Sequence, residues 1–316
     1  MSVFTTLERA ELEAFLEPYQ LGRLVDFKGI DAGTENSNYF VSLEKGEFVL
    51  TLVERGARDE LPFVVDLLDI LHDANLAVPF ALRTRDGDAL RELAEKPALL
   101  QPRLPGRHVL WPNAHHCAEV GDWLARLHLA TVNTHLERPS DRGLDWMLEQ
   151  APSVALSLPE TQLPLLRRTL TELEHQAERL RALPRANLHA DLFRDNALFE
   201  GSHLAGVIDF YNACSGPMLY DVAISVNDWC SEPDGRLDPV RTEAFLGAYS
   251  VRRRFHPAED ELWPTMLRVA CVRFWLSRLI AAEENRDRGV LIKDPDEFRR
   301  LLEQRQQVDS TLPFAL

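Results

Sequence analysis

Along the first hundred residues, apolar positions alternate between a two-residue and a three-to-four-residue spacing. The stretches "RLVDFKGI", "NYFVSLE" and "EFVLTLVE" are rich in β-branched and aromatic residues and predict three strands, with "EKGE" as a tight hairpin turn between the last two. Thr5 and Glu8 form a T-x-x-E pattern that predicts a capped helix ending near Pro18. In "DELPFVVDLLDILHDA" the residues Leu61, Val64, Val65, Leu68 and Leu71 share one helical face. "GDALREL" and "PALLQPRL" predict two further strands. After "RLPGRH" the pattern becomes helical, in "HHCAEVGDWLARLHLAT", "TQLPLLRRTLTELEHQAERLRAL" and "LWPTMLRVACVRFWLSRLIAAEE". Two short strands, "ALFEG" and "AGVIDF", interrupt this half, joined by a turn at Gly201 and Ser202. The expected class is α+β: a sheet-rich N-terminal lobe over residues 1–100, a connecting hinge over 101–106, and a larger helical lobe over 107–316.

Composition narrows what such a chain can do. With 35 Lys and Arg against 50 Asp and Glu, the net charge of −15 argues against a bulk electrostatic grip on nucleic acid or an anionic membrane. A phosphate ligand must then be held by local donors or by a metal. The four cysteines, Cys117, Cys214, Cys230 and Cys271, form no C-x-x-C pair, which fits a reducing compartment better than a disulfide framework or a zinc site. The opening "MSVFTTLERAELEAF" lacks a basic start followed by an apolar core, so no secretory leader is expected, and no apolar run approaches membrane-span length. The expected location is cytoplasmic.

The polar run "NLHADLFRDN", Asn187 to Asn196, stands immediately before the two short strands. An antiparallel hairpin brings its outer ends together, so Asp191, Asn196 and Asp209 are expected at one edge. Carboxylate and amide oxygens suit Mg²⁺, which takes few protein ligands and shares the rest with phosphate and water. Asp191, five residues before Asn196, is placed to accept a proton from a hydroxyl. Singly, Asp191 reads as a turn or cap residue, His189 as a core histidine, and Asn196 and Asp209 as strand terminators. Together they call for a common use. The neighbouring His115 and His116 are expected to be solvated helix surface, because adjacent helical positions do not converge on one metal.

H-x-D-x-x-x-x-N followed by a strand ending in I-D-F resembles the core of the aminoglycoside phosphotransferase and choline kinase superfamily, whose fold is protein-kinase-like with two lobes. The resemblance implies Asp191 as catalytic base, His189 as the residue bracing the loop, Asn196 and Asp209 as Mg²⁺ ligands, and Asp221 in "LYDVA" as a buried acid holding the catalytic loop. It also implies that "GIDAGTENSNYFV" covers the ATP phosphates, with Gly29 and Gly33 permitting close backbone approach and Thr34, Asn36, Ser37 and Asn38 in the loop, Thr34 and Ser37 as donors. The backbone from Gln101 to Arg103 would pair with adenine. A departure stands at the third strand, where the superfamily has Lys or Arg and this chain has Thr51. Val64 stands where the helix would carry the partner Glu, so both halves of that ion pair are absent together. Lys28, Arg55 or Arg58 are the candidates for supplying the charge from elsewhere.

For the acceptor, residues alone leave two sets open: Glu259, Asp260 and Glu261 for a polycationic aminoglycoside, or Tyr211, Trp229 and Trp275 for a quaternary ammonium. "ENSNYFV", "RDELPF" and "IDFYNACSGPMLYDVAISVNDWC" are more particular, and resemble the bacterial homoserine kinases built on this kinase-like fold. That likeness implies ATP-dependent phosphorylation of the L-homoserine hydroxyl, a step towards threonine. Tyr211, Asn212, Asn227 and Asp228 are then candidate substrate contacts, and Arg273 or Arg278 would reach the carboxylate. The competing readings are a kinase for choline or ethanolamine, an aminoglycoside or methylthioribose, and a nucleotide-binding protein without catalysis. Oligomeric state is not legible.

Overall fold

In a computed structural model the described residues are 3–30, 36–54, 58–285, 293–308 and 311–313. They divide into two compact units, residues 1–106 with 206–208, and residues 107–205 with 209–316.

The first unit begins with helix α1 (Arg9–Leu16). The expected capping box is not formed: Glu8 is the N-cap without a side-chain bond, and the Thr5 hydroxyl donates to Glu54 Oε1 instead, at 2.7 Å. Strands β1 (Leu24–Gly29), β2 (Ser37–Leu43) and β3 (Gly46–Leu52) follow, then helix α2 (Leu61–Asp73), β4 (Arg91–Leu93) and β5 (Lys96–Pro102). The sheet order is β1-β2-β3-β5-β4, antiparallel throughout. Every second residue of β2 is buried, as a strand covered on one face requires. Its inward Tyr39, Val41 and Leu43 pack with Leu12, Phe15 and Leu16 of α1 and with Leu50, Leu52 and Leu100. Gly46 takes φ +152 in the β2–β3 turn, a backbone region that side chains avoid.

The second unit is helical. Helix α3 (Ala114–Thr131) is followed by α4 (Leu144–Ala155) and α5 (Leu163–Arg181). Strand β6 (Arg185–Leu188) leads to the polar run, and β7 (Ala197–Glu200) pairs with β8 (His203–Val207), the end of which groups with the first unit. Strand β9 (Cys214–Pro217) pairs antiparallel with β6, setting Asn187 opposite Ser215. Helices α6 (Met218–Trp229), α7 (Pro239–Arg252), α8 (Pro257–Glu284) and α9 (Pro295–Arg305) complete the unit. Helix α8, about 42 Å long at 1.5 Å per residue, is buried over most of its circumference and forms the core with α6 and α9. Helix α3 lies so close to α7 that a Cβ on Gly121 would come within 2.3 Å of the Phe245 carbonyl oxygen. His116 is not a free surface residue. Its Nδ1 accepts from the Asn113 N–H at 3.1 Å, closing a capping box at the start of α3. The four cysteines are unpaired and buried, and no helix among the described residues is long and apolar enough to cross a membrane.

Candidate active site

The loop after β6 is fixed from one helix. At the start of α6, the buried carboxylate of Asp221 accepts the N–H groups of His189 and Ala190, each at 2.8 Å. Ala190 takes φ +60, a conformation that a non-glycine residue adopts only where its surroundings hold it. Asp221 also faces His128 Nε2 at 3.3 Å, and His128 Nδ1 meets the Tyr249 hydroxyl at 2.8 Å. Burial keeps His128 neutral, holding its pKa below the ordinary range against the pull of Asp221. One residue on, His189 Nδ1 accepts the Asp191 N–H at 3.2 Å, and its ring packs on Phe210. His189 is fully buried, so it positions the loop and is not itself presented to a reactant.

Seven residues after Asp221 on α6, Asp228 holds the far side of the same loop. It accepts the Arg194 N–H at 2.7 Å and forms an ion pair with the Arg194 guanidinium at 3.1 Å. Seven residues are close to two helical turns, so both acids lie on one face. This corrects the expectation for Asp228, which braces the loop instead of facing a substrate. Asn227 is likewise committed elsewhere: its amide donates to the Leu267 carbonyl at 2.9 Å and its oxygen accepts from Arg305 Nε at 2.7 Å. The Tyr211 carbonyl accepts from Arg138 at 2.9 Å, and the Tyr211 hydroxyl is buried.

The carboxylate of Asp191 lies where the loop turns. Asn196 Nδ2 donates to the Asp191 carbonyl at 2.8 Å and stands 3.5 Å from its Oδ2, and Asn212 Nδ2 stands 3.4 Å from the same oxygen. Burial raises the Asp191 pKa to about 7. Arg273 opposes that rise, while the charges of Asp209 and Asp195 add to it. A carboxyl poised near neutrality is matched to proton acceptance from an alcohol. With its NH₂ pinned to Asp191, Asn196 keeps its oxygen for another partner. Asp209 follows β8 in a left-handed conformation, φ +66. No cluster of three or more His, Cys, Asp or Glu positioned for a metal occurs among the described residues. That donor set fits Mg²⁺ carried in with phosphates, which needs only one or two carboxylates, and does not fit an all-protein cation cage.

In the first unit the expected phosphate and adenine contacts fare unevenly. Gly33 and Thr34 lie outside the described residues, as does Arg55. The space over Gly29 is filled by Val3, whose Cγ2 would be 2.7 Å from an added Cβ. Ser37 is fully buried, accepts the N–H groups of Phe4 and Thr5, and donates to Glu54 Oε1 at 2.5 Å, so it is not a free phosphate donor. Asn36 Oδ1 accepts the Glu54 N–H at 3.2 Å, and Asn38 Oδ1 accepts the Thr51 hydroxyl at 2.7 Å. The Gln101 side chain bonds the Pro79 carbonyl. The Arg103 N–H donates to the Glu47 carbonyl at 3.1 Å, so neither of these groups is open to adenine. Arg58 pairs with Glu92 at 2.8 Å, and Lys28 is exposed. The cation that matters structurally here is one that no motif announces. Lys96, at the start of β5, bonds Glu54 just beyond the end of β3.

Both alternative acceptor sets fall into structural roles. Trp229 and Trp275 are fully buried, and Trp229 Nε1 donates to the Leu192 carbonyl at 3.1 Å. Glu259 is buried against Arg253 at 2.8 Å, Asp260 accepts the Leu312 N–H, and Glu261 pairs with Arg179. Arg278 is paired with Glu297 at 2.5 Å. Of the named substrate candidates, Asn212 and Arg273 remain beside Asp191.

Residues 26–257 match the model of a phosphotransferase enzyme family. A homoserine kinase of Pseudomonas aeruginosa (strain LESB58) is 66% identical over 316 residues, covering 100% of both chains. One from Methylobacillus flagellatus is 45% identical over 279 residues, 88% of this chain and 87% of that one. Among solved structures, an amicoumacin kinase in complex with AMP-PNP, Ca²⁺ and Ami superposes with TM-score 0.72 at 18% identity, over 95% of this chain and 92% of that one. A choline/ethanolamine kinase family protein from Mesorhizobium loti gives TM-score 0.65 at 17% identity, over 95% and 94%. At these identities the structural likeness concerns the fold.

Proposed function

The chain belongs to the phosphotransferase enzyme family and, within it, to the homoserine kinases, and from that premise we propose how its own residues carry the transfer. The reaction is ATP-dependent phosphorylation of the L-homoserine side-chain hydroxyl, giving O-phospho-L-homoserine and ADP. Asp191 orients the hydroxyl and accepts its proton as the oxygen bonds to the γ-phosphorus and the bond to ADP breaks. The observation that carries this is the Asp191 carboxylate, held near neutrality on a loop fixed from both ends of α6. Asn212 Nδ2 keeps that carboxylate in place without ion-pairing it, so its basicity survives. Asn196 and Asp209 would hold Mg²⁺, which when bound neutralises charge on the phosphates. The phosphate role of the 29–38 stretch rests on the family resemblance and on its place between β1 and β2.

A coupled ADP-release assay with Mg-ATP tests this, with L-homoserine, choline, methylthioribose and kanamycin supplied separately and Asp191→Asn as control. Release with homoserine alone, abolished in the variant, is expected. Release with another acceptor alone would overturn the substrate, and unimpaired turnover in Asp191→Asn would remove that residue from the base role.

A further inference from the structure

Among the described residues the buried arginine side chains have close acceptors, and Arg273 stands apart from them. Arg253 and Arg241 meet carboxylates, and Arg305 meets three oxygens, on Asn227, Gly235 and Ser231, at 2.6–2.7 Å. Arg273 of α8 is only 4% exposed, yet no carboxylate among the described residues forms an ion pair with it. Its polar side-chain contact is a long one, Nη2 to Asn212 Oδ1 at 3.5 Å, and its guanidinium lies 3.9 Å from the centre of the Phe274 ring. A buried guanidinium with so few acceptors is costly unless a ligand supplies them.

A second orphan lies in the same neighbourhood. The hydroxyl of Tyr220, a residue 7% exposed, has no hydrogen-bond partner among the described residues. Arg273 is the charge that bears on it most, and Asp221 and Asp191 also bear on it. Asn212 links the two poles, its oxygen towards Arg273 and its nitrogen towards Asp191. The cationic pole and the proton acceptor are thus separated by the width of one amide group and its two contacts.

We propose that Arg273, with the Tyr220 hydroxyl, binds the α-carboxylate of the acceptor amino acid, and that Asn212 sets the distance from that carboxylate to the hydroxyl at Asp191. The proposal rests on the homoserine reading and deepens it. A guanidinium presents parallel N–H donors that match a carboxylate, and the phenol adds a further donor. The short span selects a small acceptor carrying hydroxyl and carboxylate a few bonds apart. An amino alcohol lacking the carboxylate leaves Arg273 unanswered and is rejected for that reason.

The test compares kcat/KM for L-homoserine and for 3-amino-1-propanol, the same molecule without its carboxylate, in the parent, Arg273→Met, Arg273→Lys and Tyr220→Phe. The parent should prefer homoserine strongly. Arg273→Met should lose about 100- to 1000-fold in kcat/KM for homoserine, mainly through KM, while its preference over the amino alcohol collapses. Arg273→Lys should recover part of the preference, and Tyr220→Phe should raise the homoserine KM by about 3- to 10-fold. A parent that accepts both compounds alike would overturn the proposal. So would an Arg273→Met variant in which both substrates lose equally, or in which only kcat falls, since Arg273 would then act on Asp191 alone. Should Arg273→Met fail to fold by melting curve, the Lys and Phe variants decide by the same ratio. A parent inactive with homoserine would sink the proposed function itself, a result distinct from an active parent whose preference ignores Arg273.

Discussion

Each unit contains a buried polar cluster built around one carboxylate, and the two clusters behave in opposite ways. In the smaller unit Glu54 is touched directly by Lys96, Ser37 and Thr5. Burial works to raise its pKa, but these three donors outweigh burial and hold it below the usual carboxylate range. In the larger unit Asp191 is half-buried, its cation, Arg273, acts from a distance, and Asp209 and Asp195 oppose it, so desolvation prevails and its pKa rises to about 7. The ingredients match; contact differs. A carboxylate whose donors touch it is a structural group, and one left short of donors is free to take a proton or a ligand.

The sharpest way to break that contrast is to neutralise the reactive acid. Asp191→Asn should lower kcat by about 10²- to 10⁴-fold. Its fold should not suffer. Because the folded pKa lies above the unfolded value, Asp191 opposes folding increasingly from about pH 4 upward, and the full cost is reached above about pH 7. The Asn variant should therefore melt at or about one to three degrees above the parent at pH 7.5, without metal or nucleotide. A variant that melts several degrees lower would show Asp191 to be part of the scaffold after all.

The opposite result is expected in the smaller unit. Glu54→Gln should cost about 2–4 kcal/mol, measured by urea unfolding, because it leaves Lys96 and two hydroxyls around a neutral group. Lys96→Met should cost less, since its side chain is 32% exposed and Ser37 and Thr5 still reach Glu54. Equal and small effects of both changes would mean the pair is ornamental.

His128 offers the mildest probe. Its folded pKa is lowered, so the unfolded chain takes a proton that the folded chain refuses, and stability falls as pH drops below about 6.5, by at most about 1.4 kcal/mol per pH unit. Melting curves from pH 7.5 to 5.5 should show a shallower slope in His128→Gln than in the parent. Identical slopes would exclude the histidine as the source.

What the sequence disclosed follows the same division. The H-x-D-x-x-x-x-N run was legible because six polar side chains in ten residues have no place in an apolar element. The β-hairpin after it was legible from its turn. Asn227 and Asp228 misled because their neighbours in sequence resemble a substrate segment, while their partners, Arg305 and Arg194, are 78 and 34 residues away. Ser37 misled in the same way, since Glu54 claims it from beyond the end of β3. Helix α6 is not among the predicted elements although Asp221, Ser225 and Asp228 recur at helical spacing; nearly all of its residues are buried, so that polar stripe faces protein and not solvent. Tyr220 could not be found at all: an unanswered hydroxyl is visible only once the neighbours are in place.

The two acids of α6 that grip the loop have a further consequence for how this chain tolerates change in length. The loop from His189 to Arg194 is measured against a helical ruler whose marks, Asp221 and Asp228, stand about 10 Å apart on one face. Substitutions on the outer turns of α6 leave that ruler intact. A single inserted or deleted residue between the marks would swing one of them by about 100° around the helix axis and release one end of the loop. Variation in length therefore belongs in the segments beyond α6, and the seven-residue interval within it is the dimension that the chain must keep.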